Sequence, residues 1–538
     1  MAVLLEDIVK SVEQLLKLIS KKTQEQSYVD PTLDPVLFVP GIAGSILNAV
    51  DSKTGNTERV WVRILGADHE FRDKLWSHFD PATGRSETVD ADTHIEVPQD
   101  RHGLYAIDTL DPDMVIGSDC VYYFHDMIVE FINWGYQEGT TLFGFGYDFR
   151  QSNRFQGTLD RLASKLESVY TASGGKKINI ISHSMGGLLI KCFMTLHSDI
   201  FEKYVKNWIA IAAPFRGAPG YVTSAFLNGS SFVEGWKQNF FISKWSMQQL
   251  LLECPSIYEL MACLDFKWEN VPLVEIWRQK SDDDGNTTVT LESYPPVEAI
   301  QIFTEALSIN KVCYNGADVA VPFNIEILKW ANETRKLLSS AQLPNEEIKF
   351  YNIYGTNNET PHCVCYGSEN APVTDLRAVP TLQAKYVYVD GDGTVPAESA
   401  KGDGLRAEAR VGVSGDHRGI LCDRHVFRIV KHWLNADHDP FYNPVNDYVV
   451  LPSAAIEMER GLKVSYVREE WDIITDEENI SMGKDVVLVG SIDVAARIAG
   501  GGGGESMEEA HASFKVEQEN EEGKKHVELN VVSISTTA

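Results

Sequence analysis
The chain is predicted to be an α/β protein with a mostly parallel sheet flanked by helices, and three observations carry that expectation. Short β-rich runs such as VLFV (36–39), INII (178–181) and WIAIA (208–212) alternate with segments of helical periodicity, as strands joined by crossover helices do. INII passes at once into SHSMGGLLIKCFM, a strand-to-helix junction with almost no loop. The chain has 538 residues, 43% hydrophobic and 10% aromatic. That composition is globular, and that length is too great for one simple core, so insertions or a second domain are expected.

The N-terminal stretch MAVLLEDIVKSVEQLLKLIS places Leu5, Ile8, Val9, Val12, Leu16 and Ile19 at helical spacing. An amphipathic helix over 1–25 is expected, packed on the body or lying on a membrane surface. Glu6, Asp7, Lys10 and Glu13 interrupt the apolar run that a secretory signal needs, which points to a cytoplasmic protein. The α/β domain should span 30–435. Its first strand, VLFV, ends in Pro40-Gly41. Residues 45–110, with Trp61, Phe71, Trp76 and Phe79, break the alternation and read as an insertion. Helices over 120–134 and 159–172 follow, then INII, a helix over 185–196 and WIAIA. A second insertion covers 216–345. It is rich in aromatics between Phe226 and Trp245 and contains the polar patch SDDDGNTT. FYNIY (350–354), YVYV (386–389), RVGV (410–413) and a helix over 424–434 complete the domain. Residues 436–538 form a C-terminal extension with strands at YVVL (448–451) and DVVL (485–488). The Gly500–Gly504 run should be a flexible linker and the Glu-rich end mostly disordered, with VELNVVSIS as a late strand.

Charge narrows the partners. A net charge of −29 opposes nucleic acid and gains nothing from anionic membranes. Any contact with lipid must therefore come from apolar insertion, and Trp61, Trp76, Phe240, Phe241 and Trp245 are the candidates for substrate or membrane contact. No stretch of about 20 uncharged apolar residues is available to span a bilayer. Eight scattered cysteines show neither a CxxC pair nor ligand spacing with histidines. Free thiols are expected, with no metal and no cofactor. Nothing in the sequence sets the oligomeric state.

The chemistry is read from the elbow outward. A serine hydroxyl needs a base within hydrogen-bond reach and donors for the oxyanion it creates. Placing it on a tight strand-to-helix turn meets both needs, provided that the positions two before and two after are small. Ser184 stands in such a turn, with Gly186 after it and Ser182, in place of the usual glycine, before it. Ser182 is read as filling a small slot, and the neighbouring His183 as a packing or supporting residue. One oxyanion donor should be the Met185 N–H. The other should come from the loop after the first strand, where Ile42 of PGIAGS is the candidate. The acid should follow the serine in chain order, and YVYVDGDGTVP offers Asp390 and Asp392. Asp390 continues the strand and suits the turn itself, whereas Asp392 lies in the glycine-flanked loop and is favoured. His417, on the loop of RVGVSGDHRGIL, is the candidate base; His425 falls within the following helix.

These residues resemble a family, the lecithin–cholesterol acyltransferase-like lipases. VPGIAGS (39–45), GYDFR (146–150), SHSMGG (182–187), IAAPFRGAPG (211–220), DGDGTVP (390–396) and GDHRGIL (415–421) match it in order. Within the family the chain is most similar to a plant, cytosolic branch with phospholipase A character. The resemblance implies an α/β-hydrolase fold with a membrane-binding part within 45–80, a cap, and a lid over roughly 216–250. It places nucleophile, acid and histidine on Ser184, Asp392 and His417, and oxyanion donors on Ile42 and Met185. Secreted relatives brace the membrane-binding loop with a disulfide, but residues 45–110 contain no cysteine.

The expected activity is acyl transfer from a glycerophospholipid substrate through an acyl-enzyme, as a phospholipase A acting at a peripheral membrane surface. The alternatives are transfer to a sterol or glycerolipid hydroxyl and a catalytically silent lipid-binding protein. A soluble esterase or peptidase is disfavoured by the aromatic insertions.

Overall fold
The computed structural model describes residues 29–62, 74–113, 121–229, 244–281, 287–314, 317–436, 448–450, 464–470, 488–498, 506–518 and 525–537. The predicted helix over 1–25 and the Gly500–Gly504 run lie outside these. The chain divides into two units, 1–436 with 444–450, and 437–443 with 451–538.

Eleven strands organise the first unit. They are β1 (Val36–Val39), β2 (Leu142–Gly144), β3 (Ile178–His183), β4 (Val205–Ile211), β5 (Val274–Ser281), β6 (Thr287–Tyr294), β7 (Lys349–Thr356), β8 (Asn358–Tyr366), β9 (Lys385–Gly391), β10 (Ala407–Ser414) and β11 (Tyr448–Val450). Seven of them form one sheet in the order β11-β10-β7-β4-β3-β1-β2. Every pairing in it is parallel. This is the α/β architecture that the alternation predicts. Parallel strands covered on both faces need unbroken apolar runs, and VLFV in β1 is fully buried.

The helices follow from their patterns. Those used below are α1 (His125–Asn133), α2 (Gln156–Ala172), α3 (Gly186–Leu196), α4 (Pro219–Leu227), α5 (Ile325–Ser340) and α6 (Arg424–Trp433). In α2, Leu159, Leu162, Leu166 and Val169 are buried at 3.6-residue spacing. Helix α3 runs through the interior and is buried from Gly186 to Met194. In α6 the Asp423 carboxylate accepts the His425 and Val426 N–H groups as a cap, while Val426, Phe427, Val430 and Trp433 face inward.

One strand that looked like part of the alternation belongs elsewhere. YVYV lies in β9, at the edge of a separate four-stranded sheet ordered β6-β5-β8-β9. Only β5 and β8 pair in parallel there. Val387 and Tyr388, on opposite faces of this edge strand, are about half exposed. The described residues within 45–110 include two small antiparallel sheets, 47–51 with 57–61 and 93–96, and 77–80 with 85–88.

The second unit holds strands 464–470, 488–498, 506–518 and 525–537, paired antiparallel in that order. Composition predicts disorder for much of this end with VELNVVSIS as a late strand, and strand 525–537 contains that segment. In register, Val516 faces Val527, Phe514 faces Leu529, Ala512 faces Val531 and Ala510 faces Ile534. The register shifts between His511 and Ala512.

A buried carboxylate joins three segments of the first unit. Glu259, 2% exposed, accepts hydrogen bonds from Ser152 Oγ, Asn153 N, Asn153 Nδ2 and Thr334 Oγ1. It thereby ties the loop before α2 to α5. Glu259→Ala would strand those donors, each costing about 1–3 kcal/mol when buried and unpaired. The expected loss of stability is at least about 3 kcal/mol, measured by urea unfolding; a shift below about 1 kcal/mol would show that these donors find other partners.

Candidate active site
The site is assembled where β1, β3, β7 and β10 end. Strand β2 lies on one side of β1 and β3 on the other, so the strand order reverses there. At such a point the loops diverge and leave a crevice at the carboxyl ends of the strands. Ser184 sits between β3 and α3 with φ +54°. A side chain other than glycine in this region is strained, and the surroundings must impose it. They do so by close approach. A Cβ on Gly186 would lie 2.4 Å from the Pro40 carbonyl oxygen, and one on Gly187 2.5 Å from Ala213 Cβ. The Ser184 N–H donates to the Ile211 carbonyl at 2.9 Å, which anchors the turn to β4.

The loop after β1 passes over the serine. A Cβ on Gly41 would lie 2.6 Å from Ser184 Cβ and 3.0 Å from its hydroxyl oxygen. Ile42 follows in a turn closed by Gly44 N–H donating to the Gly41 carbonyl at 3.2 Å. Met185 forms the N-cap of α3. Both candidate donors are thus chain neighbours of groups that touch Ser184.

The three side chains singled out from sequence meet. His417 Nε2 lies 2.9 Å from Ser184 Oγ, and His417 Nδ1 lies 2.8 Å from Asp392 Oδ2. Asp392 is 2% exposed. Its second oxygen accepts the Thr394 and Val395 N–H groups at 3.0 and 2.7 Å. The His417 N–H donates to the Asp392 carbonyl at 2.8 Å, which fixes one loop on the other. Val395 is buried with Ala218, Tyr354, Ala397 and Ala400, so the Asp392 loop is anchored just beyond its carboxylate. Asp390 does other work. It accepts the Thr356 hydroxyl and the Asn357 N–H, both at 2.6 Å, and so holds the β7–β8 turn.

Strand β9 delivers Asp392, although it is not in the parallel sheet. The chain leaves β7, runs out along β8 and returns along β9. It brings Asp392 back beside Gly355, where a Cβ would meet Asp392 Cβ at 2.3 Å.

Two residues at the site carried no motif. Tyr123 is buried with its hydroxyl against Gly41 N and His183. Trp208 donates its indole N–H to Ser182 Oγ at 2.8 Å. The reading of Ser182 as a small filler is therefore corrected: its hydroxyl is the partner of a fully buried indole. Two tryptophans expected to meet lipid or substrate lie inside. Trp61 is 0% exposed, donates to the Ala43 carbonyl at 2.8 Å and packs edge-on against Phe149. Trp76 is 7% exposed beside Tyr314. Rings of this size in short sheets are needed to close the core beneath them. Trp245, on the Lys244–Leu251 helix, is 38% exposed. Phe240 and Phe241 lie outside the described residues.

Comparison with known proteins gives a consistent result. The family model described as Lecithin:cholesterol acyltransferase matches residues 73–402. Lecithin-cholesterol acyltransferase-like 4 of Arabidopsis thaliana is 61% identical over 545 residues, covering 100% of both chains. Phospholipase A(1) LCAT3 of the same plant is 51% identical, covering 75% of this chain and 91% of its own. Lysosomal phospholipase A and acyltransferase of Bos taurus is 29% identical, covering 34% of this chain and 48% of its own.

The Ser182–Trp208 pair makes a direct prediction. Ser182→Ala leaves the buried indole N–H unpaired, at a cost of about 1–3 kcal/mol. Trp208→Phe in that background removes the orphan. A double-mutant cycle in urea should show the two changes to be non-additive by about 1 kcal/mol; strict additivity would mean that the bond contributes nothing.

Proposed function
Because the chain belongs to the lecithin:cholesterol acyltransferase family, we propose that it is a phospholipid acyl hydrolase, a phospholipase A that works through an acyl-enzyme on Ser184. The observation that carries this reading is His417 held between Ser184 Oγ and the buried Asp392 carboxylate at 2.9 and 2.8 Å. Asp392 accepts from Nδ1–H, which leaves the Nε2 lone pair facing the serine hydroxyl. His417 takes the Ser184 proton as Oγ attacks the acyl carbonyl. The Ile42 and Met185 N–H groups receive the oxyanion. The imidazolium then protonates the leaving lysophospholipid oxygen. Water, deprotonated by the same imidazole, attacks the acyl-enzyme and releases fatty acid.

A lipid hydroxyl in place of that water would make the same site an acyltransferase. The 51% identity to a protein named as a phospholipase A(1) favours hydrolysis; relatives named as acyltransferases keep transfer as the second reading. The outcome depends on whether the loaded site excludes water. The cytoplasm is the proposed location, supported by the seven cysteines among the described residues, which are all free.

The triad reading has a sharp test. Ser184→Ala should fold and lose turnover on phosphatidylcholine, leaving only a residual rate about 10³–10⁴-fold over water. Asp392→Asn should lose about 10⁴ in kcat by costing His417 its orienting carboxylate. Asp390→Asn should alter stability more than rate. A fluorophosphonate should label wild type and not Ser184→Ala. An active, folded Ser184→Ala would falsify the mechanism, and a dead Asp390→Asn beside an active Asp392→Asn would reverse the acid assignment. Position-labelled phosphatidylcholine, with and without an acceptor alcohol, separates hydrolysis from transfer.

The approach to lipid is a separate prediction. With a net charge of −29, adsorption must rest on apolar insertion, at about 25 cal/mol per Å² buried. Phe240, Phe241 and Trp245 are the proposed contacts. Co-sedimentation with phosphatidylcholine vesicles should hold as salt rises, and replacing both phenylalanines by serine should weaken it while sparing hydrolysis of a short soluble ester. Binding that collapses in salt would show that charge, not insertion, holds the protein on the surface.

A further inference from the structure
We propose that Tyr123 and His183 are positioning residues that lock the oxyanion loop and the His417 loop to the strand carrying the nucleophile. This rests on the serine reading above. The two residues come from different parts of the chain, Tyr123 from the segment before α1 and His183 from the last position of β3. The Tyr123 hydroxyl is 2.8 Å from Gly41 N and 2.6 Å from His183 Nδ1. On its other side, His183 Nε2 is 2.8 Å from the carbonyl oxygen of His417.

The direction of each bond follows from donor chemistry. A carbonyl can only accept, so His183 carries its proton on Nε2. Nδ1 is then the acceptor, and the Tyr123 hydroxyl must donate to it. That hydroxyl in turn accepts the Gly41 N–H. Every group has one role, and the chain runs from Gly41 N–H through Tyr123 and His183 to the His417 backbone. His183 is 1% exposed and Tyr123 9%, so water does not substitute for these bonds cheaply.

Three consequences bear on the reaction. The Gly41 N–H is committed to Tyr123, so the next peptide, which carries the Ile42 N–H, is the one left to meet the oxyanion, on a loop whose position Tyr123 sets. The His417 main chain is gripped twice, through its N–H by the Asp392 carbonyl and through its carbonyl by His183. The imidazole thus keeps its place even as its own charge changes. Finally, the His183 and His417 rings lie 4.8 Å apart, where two imidazolium ions would repel. Burial, then the neighbouring His417, pushes His183 well below the usual imidazole range. It stays neutral while His417 takes the serine proton.

A packing role would need the Tyr123 ring and not its hydroxyl, and the test uses that difference. Tyr123→Phe keeps the ring beside Phe124 and His183 and removes only the oxygen. On a short soluble ester, kcat should fall roughly tenfold to a hundredfold, less than the 10²–10³ lost with a whole oxyanion donor, while KM stays within about twofold. His183→Ala should lose as much or more. His183→Gln, whose amide N–H can still reach the His417 carbonyl, should recover part of that loss. Wild-type kcat in Tyr123→Phe, or a change confined to KM, overturns the proposal. If Tyr123→Phe does not fold, the His183 pair decides, and equal kcat in the alanine and glutamine variants overturns it. Ser184→Ala assayed alongside separates the two levels. An active Ser184→Ala sinks the serine reading itself, whereas a dead Ser184→Ala beside an unimpaired Tyr123→Phe sinks only the positioning role.

Discussion
The site depends on one close contact in the central sheet: the start of α3 lies against the end of β1 with no room for a side chain. Gly186 lies where a Cβ would be 2.4 Å from the Pro40 carbonyl oxygen. Because the helix begins so near β1, the chain has only Ser184 and Met185 in which to turn from β3 into α3. That turn forces Ser184 to positive φ and lifts its hydroxyl out of the sheet. The same proximity brings Gly41 over the serine. The proposed nucleophile and oxyanion loop are therefore consequences of one steric constraint, and the energy stored in the Ser184 backbone is held by the packing of buried helix against buried strand.

The rest of the site is brought to that point by loops that leave the sheet and come back. Asp392 arrives by the longest route, out along β8 and home along β9, to a place beside Gly355 that has no space for another side chain. His417 arrives directly from β10. The two loops are joined by main chain as well as by side chain, since the His417 N–H donates to the Asp392 carbonyl. In the role proposed for it, a His417 fixed at both its ring and its backbone needs little reorganisation as charge develops, which is the condition under which fixed dipoles are most effective in catalysis.

Around this centre the interior is more polar than a simple hydrophobic core, and several of its polar groups are paired with one another. Asn352 Nδ2 donates to Asp403, which also receives Arg410 and the Leu405 N–H. Lys191, in α3, reaches the Asp403 carbonyl and lies over Phe215, and burial lowers its ammonium to about 8. Buried charges and amides of this kind contribute little net stability, but they penalise any arrangement in which they lose their partners. Here they surround the strand ends that must hold their register if three loops are to meet.

What the sequence determined by itself was local. Unbroken apolar runs mark β1 and β3 because strands covered on both faces can carry nothing else, and small residues around Ser184 mark the elbow because the turn excludes larger ones. The order Ser184, Asp392, His417 was legible for the same reason, each lying in a loop whose glycines or strand ends are visible in a few residues. Only the tertiary structure decided what depends on distant contacts. It put β9 in a second sheet, buried Trp61 and Trp76, gave the Ser182 hydroxyl to Trp208, and set Tyr123 between Gly41 and His183. A hydrogen bond between residues 82 apart, such as that from Gly41 to Tyr123, leaves no periodicity and no motif. It exists only once the sheet has brought the ends of its strands together.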